Sequence, residues 1–441
     1  MNKVSPHSSS SYFDSIEFQA RLKKRYRAEK RFKFYGLTAI IMAFVFLIFL
    51  LACITAKGYT GFYQTYIQLP VTFDETILVS SISAEETSAS LQENLMFADF
   101  QELVRQSLLK EFPDVTEPHQ KRALFSLLSR GAGTTLKKAL MKDDSLLNTS
   151  KAIWLPASSN VDMYIKGRIS DKTPESQRKL KDKQLAWIKA LESKGLIKTK
   201  FNILFFTASN SREPELAGIF GSVLGSLYTI LACLIIAFPL GVLTAVYLEE
   251  FAPKNFLTDL IEININNLAA IPSIVFGLLG LALYLDIMEL PRSASVVGGL
   301  TLALMVLPIM VITARNSLRA VPPSIRDAAM GLGASKIQTT FHHVVPLAMP
   351  GIMTGTILSI ARALGETAPL IMIGMVAFVV DVPQTFFDPA APLPVQIFTW
   401  ADSAELGFVE KTSAAIMILL AILIVLNTVA AIIRKKYENK W

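Results

Sequence analysis

The stretch ARALGETAPL sets Arg362 and Glu366 four residues apart, and between Lys336 and Asp381 they are the only formal charges. A guanidinium stays charged at any cellular pH and grips an oxyanion through two parallel hydrogen bonds, which an ammonium does less well. A carboxylate one helical turn away can neutralise it, although base before acid is the less favourable order for such a pair. A local pair is therefore an incomplete account, and at least one member faces a wet interior or another subunit. The plainer alternative is a permanent ion pair that fixes helix packing.

The surroundings decide how costly these charges are. Of 441 residues, 52% are hydrophobic and only 18% charged, with a mean hydropathy of +0.43, too apolar for an ordinary soluble chain of this length. The apolar residues gather in blocks at 34–56, 216–248, 263–285, 293–314, 344–380 and 412–433, each long enough to cross a bilayer. The expectation is an all-α polytopic membrane protein of six spans. Within it Arg362 and Glu366 each cost roughly 2.5 to 3.5 kcal/mol on insertion scales, and intramembrane charges are functional by default.

Orientation follows from the flanking cations. Arg21, Lys23, Lys24, Arg25, Arg27, Lys30, Arg31 and Lys33 precede the first span, and Arg434, Lys435 and Lys436 follow the last, so both termini are expected in the cytoplasm. The division is a basic arm at 1–33, a first span at 34–56, an outer domain at 57–215, a transmembrane domain at 216–436 and a tail at 437–441. The outer domain is lysine-rich, but a domain of its size translocates regardless of charge. Arg315, Arg319, Arg326 and Lys336 then fall inside. Positive-inside anchoring accounts for Arg315 and Arg319, with a place for Arg315 in the inner mouth of a path as the lesser reading.

Helical spacing around Phe97, Phe100, Val104 and Leu108, and again at Leu180, Trp187, Ile188 and Leu191 before Gly195, together with β-rich pieces at 62–67, 161–169 and 201–206, predicts an α+β outer domain. Cys53 and Cys233 form no CxxC pattern, and adjacent His342 and His343 lack a supporting cluster, so no metal site and no disulfide framework is expected. Cys53 closes a faint lipoprotein-like box, but the basic region before it is too long for a signal peptide. Pro239, Pro272, Pro308 and Pro369 each interrupt a span and Pro350 opens one, as in the broken helices of transporters. Asp381, Asp388 and Pro383, Pro389, Pro392 and Pro394 mark an outer loop.

Residues 322–350 form the most distinctive loop. Ser324 is expected as an N-cap with Asp327 three residues on, and Ala328, Ala329, Gly331 and Gly333 leave that short helix almost without bulk. A second short helix is expected from Ser335 towards a turn before Pro346, so that a partner can grip the pair as one rigid lever. DAAMGLGASKIQTTFHHVVP resembles the EAA loop of bacterial ABC importer permeases, with Asp327, Ala328, Ala329, Gly333 and Pro346 at the family's positions. Asp327, His343 and Val345 depart from its glutamate, isoleucine and leucine. RALGETAPL, GSLYTI and AIPSIVFGLLGL are similar to the PstA-type permease of the phosphate-specific importer.

That resemblance covers about 216–441 and the first span, with the outer domain as an addition found in some members. It implies a type I six-helix permease of the inner membrane, a homologous second permease, two ATP-binding subunits docked at the loop, and an extracytoplasmic phosphate-binding protein. Beside the resemblance, the chemistry of the pair leads to the expectation that Arg362 lies along a phosphate path and exchanges between Glu366 and the anion, since conduction needs binding weak enough to release. No cofactor and no nucleic-acid partner is expected. The sequence has no GxxxxGK[ST] and no Gly-Lys dipeptide, so it holds no P-loop, and energy must enter through a partner. Two alternatives stand beside this: a permease for sulfate or molybdate, which arginine suits equally, and a membrane sensor reading a ligand with 57–215, for which the basic arm and short tail offer no output module.

Overall fold

The computed structural model describes residues 16–74, 77–78 and 98–437; Phe97, counted above in a helix, lies outside them. The chain divides after Ala56 into two units. The first is carried by α1 (Ile16–Gly58). From Phe34 to Leu51 its large apolar side chains are exposed. A helix apolar all round needs lipid or a partner to cover it, and about 27 Å of it lies between those residues.

The second unit opens with the inserted domain: β1 (Tyr63–Thr72), α2 (Phe100–Glu111), α3 (Pro118–Phe125), α4 (Ala132–Lys142), β2 (Ser150–Pro156), α5 (Ser159–Ile165), α6 (Asp182–Ser193), β3 (Ile197–Phe201) and α7 (Ile203–Thr207). The sheet is antiparallel in the order β2-β1-β3. Ile67, Leu69 and Val71 alternate inward along β1 and pack with Leu103, Leu108, Leu136, Leu155 and Ile188, as period-two burial requires. The expected helices form around Phe100–Leu108 and Trp187–Leu191, although Leu180 stands before the start of α6, and the left-handed Gly195 (φ +72°) follows the second.

Two expected strands do not form. Residues 161–165 of the 161–169 piece are helical, because Asp162 must sit under β1, where its Oδ1 accepts from Thr65 N at 2.9 Å and Thr65 Oγ1 at 2.6 Å. In 201–206 only Phe201 is in a strand: the Asn202 side chain accepts from Phe205 N at 3.0 Å and starts a helical turn, the N-cap preference of asparagine. Strand β2 was not expected.

The membrane part follows as α8 (Phe220–Val246), α9 (Phe256–Ala269), α10 (Ser273–Gly280), α11 (Ser295–Arg319), α12 (Pro323–Gly331), α13 (Lys336–Thr339), α14 (Val345–Gly365), α15 (Ala368–Met372), α16 (Leu393–Ala401) and α17 (Leu406–Tyr437). Among the described residues five helices are long and apolar enough to cross a membrane, and a sixth crossing requires counting α9 with the stretch Ser273–Ile287. The expected span at 263–285 is thus not one rod. It bends by 102° at a break before Ser273, where Pro272 has no N–H to give and drives the residue before it out of helical geometry.

Pro239 and Pro308 lie inside α8 and α11. These two helices cross closely, since a methyl on Gly299 would collide with Ala232 and one on Gly241 would press on Met310. Small residues at such crossings let backbones approach and gain dispersion contacts that lipid cannot supply.

The inserted domain is tied to α17 by buried charge. Lys166 Nζ lies 2.6 Å from Asp162 Oδ2 and 2.9 Å from Glu410 Oε2, with all three side chains at most 7% exposed. Thr60 Oγ1 donates to Glu410 Oε1 at 2.8 Å. Lys411 Nζ is buried over the Phe205 ring, 4.9 Å from its centroid, a cation–π placement. Nearby, burial pushes the Glu215 carboxyl above its usual range.

Candidate functional site

α14 ends at Gly365, and Glu366 takes an extended conformation (φ −78°, ψ 124°). The expected span over 344–380, with Pro369 as its expected interruption, is broken just before that proline, at the charged pair, and α15 restarts at Ala368. Arg362 Nε lies 3.5 Å from Glu366 Oε1. Because Glu366 stands beyond the helix end, the unfavourable order of a pair within a helix does not apply, and Arg362 in the last turn complements the negative end of the helix dipole. The Arg362 side chain is 42% exposed, against 20% for Glu366, so the guanidinium keeps an open side. Behind it α15 is held on α10, where a Cβ on Gly277 would come 2.8 Å from Pro369 Cα.

Arg315 belongs to a different place. Ser317 and Thr313 of α11 pack against Gly351 and Gly355 of α14, which sets Arg315 level with about residue 353, some 13 Å along the axis from Arg362. It is buried, with NH2 3.0 Å from Glu262 and Nε 3.5 Å from Glu249. Arg319 Nε lies 2.8 Å from Glu249, so two arginines and two glutamates join the π turn Tyr247–Phe251 that follows α8, the middle of α9 and the last turns of α11.

The loop at 322–350 forms an elbow anchored at both ends. α12 starts two residues earlier than expected, with Pro322 rather than Ser324 at the N-cap; the fixed φ of Pro323 suits the first helical position. Ala329 is buried, whereas Asp327, Ala328, Gly331 and Gly333 are exposed. Gly333 is left-handed (φ +90°), and the Ala334 N–H reaches back to Ala329 O at 3.1 Å, closing α12 in a Schellman turn that disfavours any side chain at 333. Ser335 caps α13 with a reciprocal bond to Gln338.

No turn precedes Pro346. A π-helical turn at Thr340–Val344 carries α13 directly into α14, and the widened turn absorbs the hydrogen bond that Pro346 cannot donate. Lys336–Gly365 is thus one helix of 30 residues, joining the elbow to Arg362.

Arg326 fixes the other arm. Its NH2 and Nε lie 2.7 and 3.1 Å from Glu250 Oε1, while NH1 donates to Val321 O at 2.7 Å and NH2 to Leu318 O at 2.9 Å. One guanidinium thereby binds the end of α8 and caps α11. Arg326→Gln is expected to loosen α12 from the ends of its neighbours, read as faster limited proteolysis of the 322–335 segment in the purified protein. Outward from the elbow, Met330, Leu332, Ile337 and Phe341 are exposed, Leu332 by 90%.

Sequence reasoning missed Glu249, Glu250 and Glu262 as partners. The available signal was opposite charge on loops assigned to one side of the membrane. Asp388, expected in an outer loop, instead folds that loop: it accepts from Gln384 N, Thr385 N and Thr385 Oγ1 at 2.8–2.9 Å, and these bonds hold its carboxyl below the usual range. His342 and His343 are exposed on the π turn.

Residues 237–440 match the family described as binding-protein-dependent transport system inner membrane component, and residues 19–175 match a domain of unknown function, DUF3333. Over 223 residues the chain is 34% identical to phosphate transport system permease protein PstA 1 of Mycobacterium tuberculosis (strain ATCC 25618 / H37Rv), covering 50% of this chain and 71% of that one. Over 220 residues it is 33% identical to phosphate transport system permease protein PstA of Haemophilus influenzae, covering 50% and 76%. A solved inward-facing MetNI methionine ABC transporter aligns with 50% of this chain and 95% of that one, at 16% identity and a TM-score of 0.39. Identity of about a third across more than two thirds of those permeases makes this multi-pass chain a member of the PstA-type permease family, within the inner membrane components of binding-protein-dependent transport systems.

Proposed function

We propose that the chain is one half of the passage of an ATP-driven importer of inorganic phosphate in the bacterial inner membrane. A homologous second permease supplies the other half, two ATP-binding subunits grip the elbow through Asp327, Ala328, Ala329, Gly331, Gly333 and the exposed apolar side chains, and Pro346 stands where the elbow enters the membrane. A phosphate-binding protein delivers the anion from outside. Both termini lie in the cytoplasm and the 57–215 domain lies outside.

The observation that carries this reading is the unbroken helix from Lys336 to Gly365. It supports a direct mechanical link between an ATP-driven elbow and Arg362, the open guanidinium in the broken fifth span. In the outward state Arg362 donates to phosphate oxygens in place of Glu366; closure of the ATP-binding subunits and their reopening move the elbow, rock the bundle and let Glu366 reclaim Arg362 as the anion leaves. Arg315, held between two glutamates, acts as a strut rather than as a ligand.

Reconstitution tests it. The purified assembly in proteoliposomes, supplied with the binding protein and ATP, is expected to accumulate labelled phosphate in preference to sulfate and molybdate. An assembly that brings down no ATP-hydrolysing subunit, or one that moves sulfate or molybdate instead, overturns the reading.

A further inference from the structure

A cavity of about 530 Å³ lies where the inserted domain meets the chain entering α8, lined by Arg130, Lys138, Arg212, Thr134, Asn210 and Phe378 among others. Glu213 is its single carboxylate, 3.5 Å from Arg130 NH1, so three cations face one acid. The residues come from three stretches far apart in sequence: the start of α4, the 208–213 segment, and the 378–380 segment that follows α15.

The walls are preorganised. Ser209 O accepts from Gly218 N at 2.8 Å, Ala208 O accepts from Phe220 N at 3.0 Å, and Trp400 Nε1 donates to Asn210 Oδ1 at 3.0 Å. Arg212 lies over the Phe378 ring, 5.5 Å from its centroid, which holds the guanidinium in place without neutralising it. A Cβ on Gly131 would strike Leu216, so the α4 end and the 208–216 segment are pressed together. A second cavity of about 510 Å³ shares Arg130 and Thr134 and adds Arg105, Lys137 and Asp99, with Arg105 paired to Glu102 at 3.1 Å.

Guanidinium and ammonium groups interleaved with hydroxyls and an amide suit a small oxyanion, and a concave site with an excess of one sign raises the local concentration of its counter-ion. We propose that this cavity is a capture site for inorganic phosphate, built jointly by the inserted domain and the permease, which receives the anion before it reaches Arg362. This rests on the reading of the chain as a phosphate permease, and it gives the 57–215 domain a part in uptake.

The test uses the whole importer complex without its binding protein, carrying Arg362→Gln so that the inner arginine does not report. Equilibrium dialysis with labelled inorganic phosphate is expected to show saturable binding that weakens about tenfold or more when Arg130→Gln, Lys138→Gln and Arg212→Gln are combined, the loss of charge-assisted hydrogen bonds. All three side chains are at the surface, and unchanged recovery of the assembled complex checks that folding is intact. Equal binding with and without the three cations, or no binding to either complex, overturns the capture site. ATP-driven phosphate uptake by the wild-type complex is measured alongside: if it is present, such a result defeats the capture site alone, and if it is absent the transport reading falls and takes the site with it.

Discussion

Complexes carrying Arg362→Gln are expected to take up phosphate at about a tenth of the wild-type rate or less, because a hydrogen bond to a charged group is worth about 1.5–3 kcal/mol and glutamine offers the anion no charge. Arg362→Lys should retain part of the rate, since it keeps the charge but not the planar fork. Glu366→Gln separates pathway from packing. If Arg362 exchanges between Glu366 and the anion, losing the carboxylate lets phosphate linger and slows turnover while apparent affinity rises. A merely structural ion pair predicts that both substitutions weaken assembly and leave the transport of assembled complexes unchanged. Uptake measured over a range of phosphate concentrations, on complexes matched for subunit content, decides between them.

Lys166→Met is expected to destabilise the junction between the inserted domain and α17 by about 3–5 kcal/mol, the usual cost of removing one partner from a buried ion pair. The size follows from what is left behind. Asp162 and Glu410 would both remain buried as anions, with the Thr65 and Thr60 donors and the more exposed Arg168 as their support. Glu410→Gln should cost less, because Lys166 keeps Asp162 at 2.6 Å. Thermal unfolding of the purified complex, with limited proteolysis of the 57–215 region as a local readout, checks the order. Equal effects of the two substitutions would mean that Lys166 is not the centre of the cluster.

Most of the membrane spans, the α+β character of the insertion, the pairing of Arg362 with Glu366, and the elbow were legible as pattern, because hydropathy blocks, an isolated charge pair and a run of small residues are one-dimensional signals. What was not legible depends on contacts distant in sequence. The 161–169 piece carries β-branched and aromatic residues, yet it turns helical to bring Asp162 to Thr65 and Lys166 to Glu410; local propensity loses to a tertiary demand. Pro272 and Pro346 look alike in sequence. One breaks a span by 102° and the other is accommodated by a π turn, and the difference lies in which neighbouring elements the chain must meet. The partners Glu249, Glu250 and Glu262 could be assigned to a side but not to an arginine, since that choice requires knowing where α8 and α9 end.

The unbroken run from Lys336 to Gly365 turns a small angle into a usable displacement. Over its length of about 45 Å, swinging it by roughly 5° sweeps the far end through about 4 Å, more than the 3.5 Å that separates Arg362 from Glu366. If the proposed lever operates, the stroke depends on how stiffly Thr340–Val344 and Pro350 resist flexing. Substitutions there, far from any anion, are the ones to engineer for a faster or slower stroke.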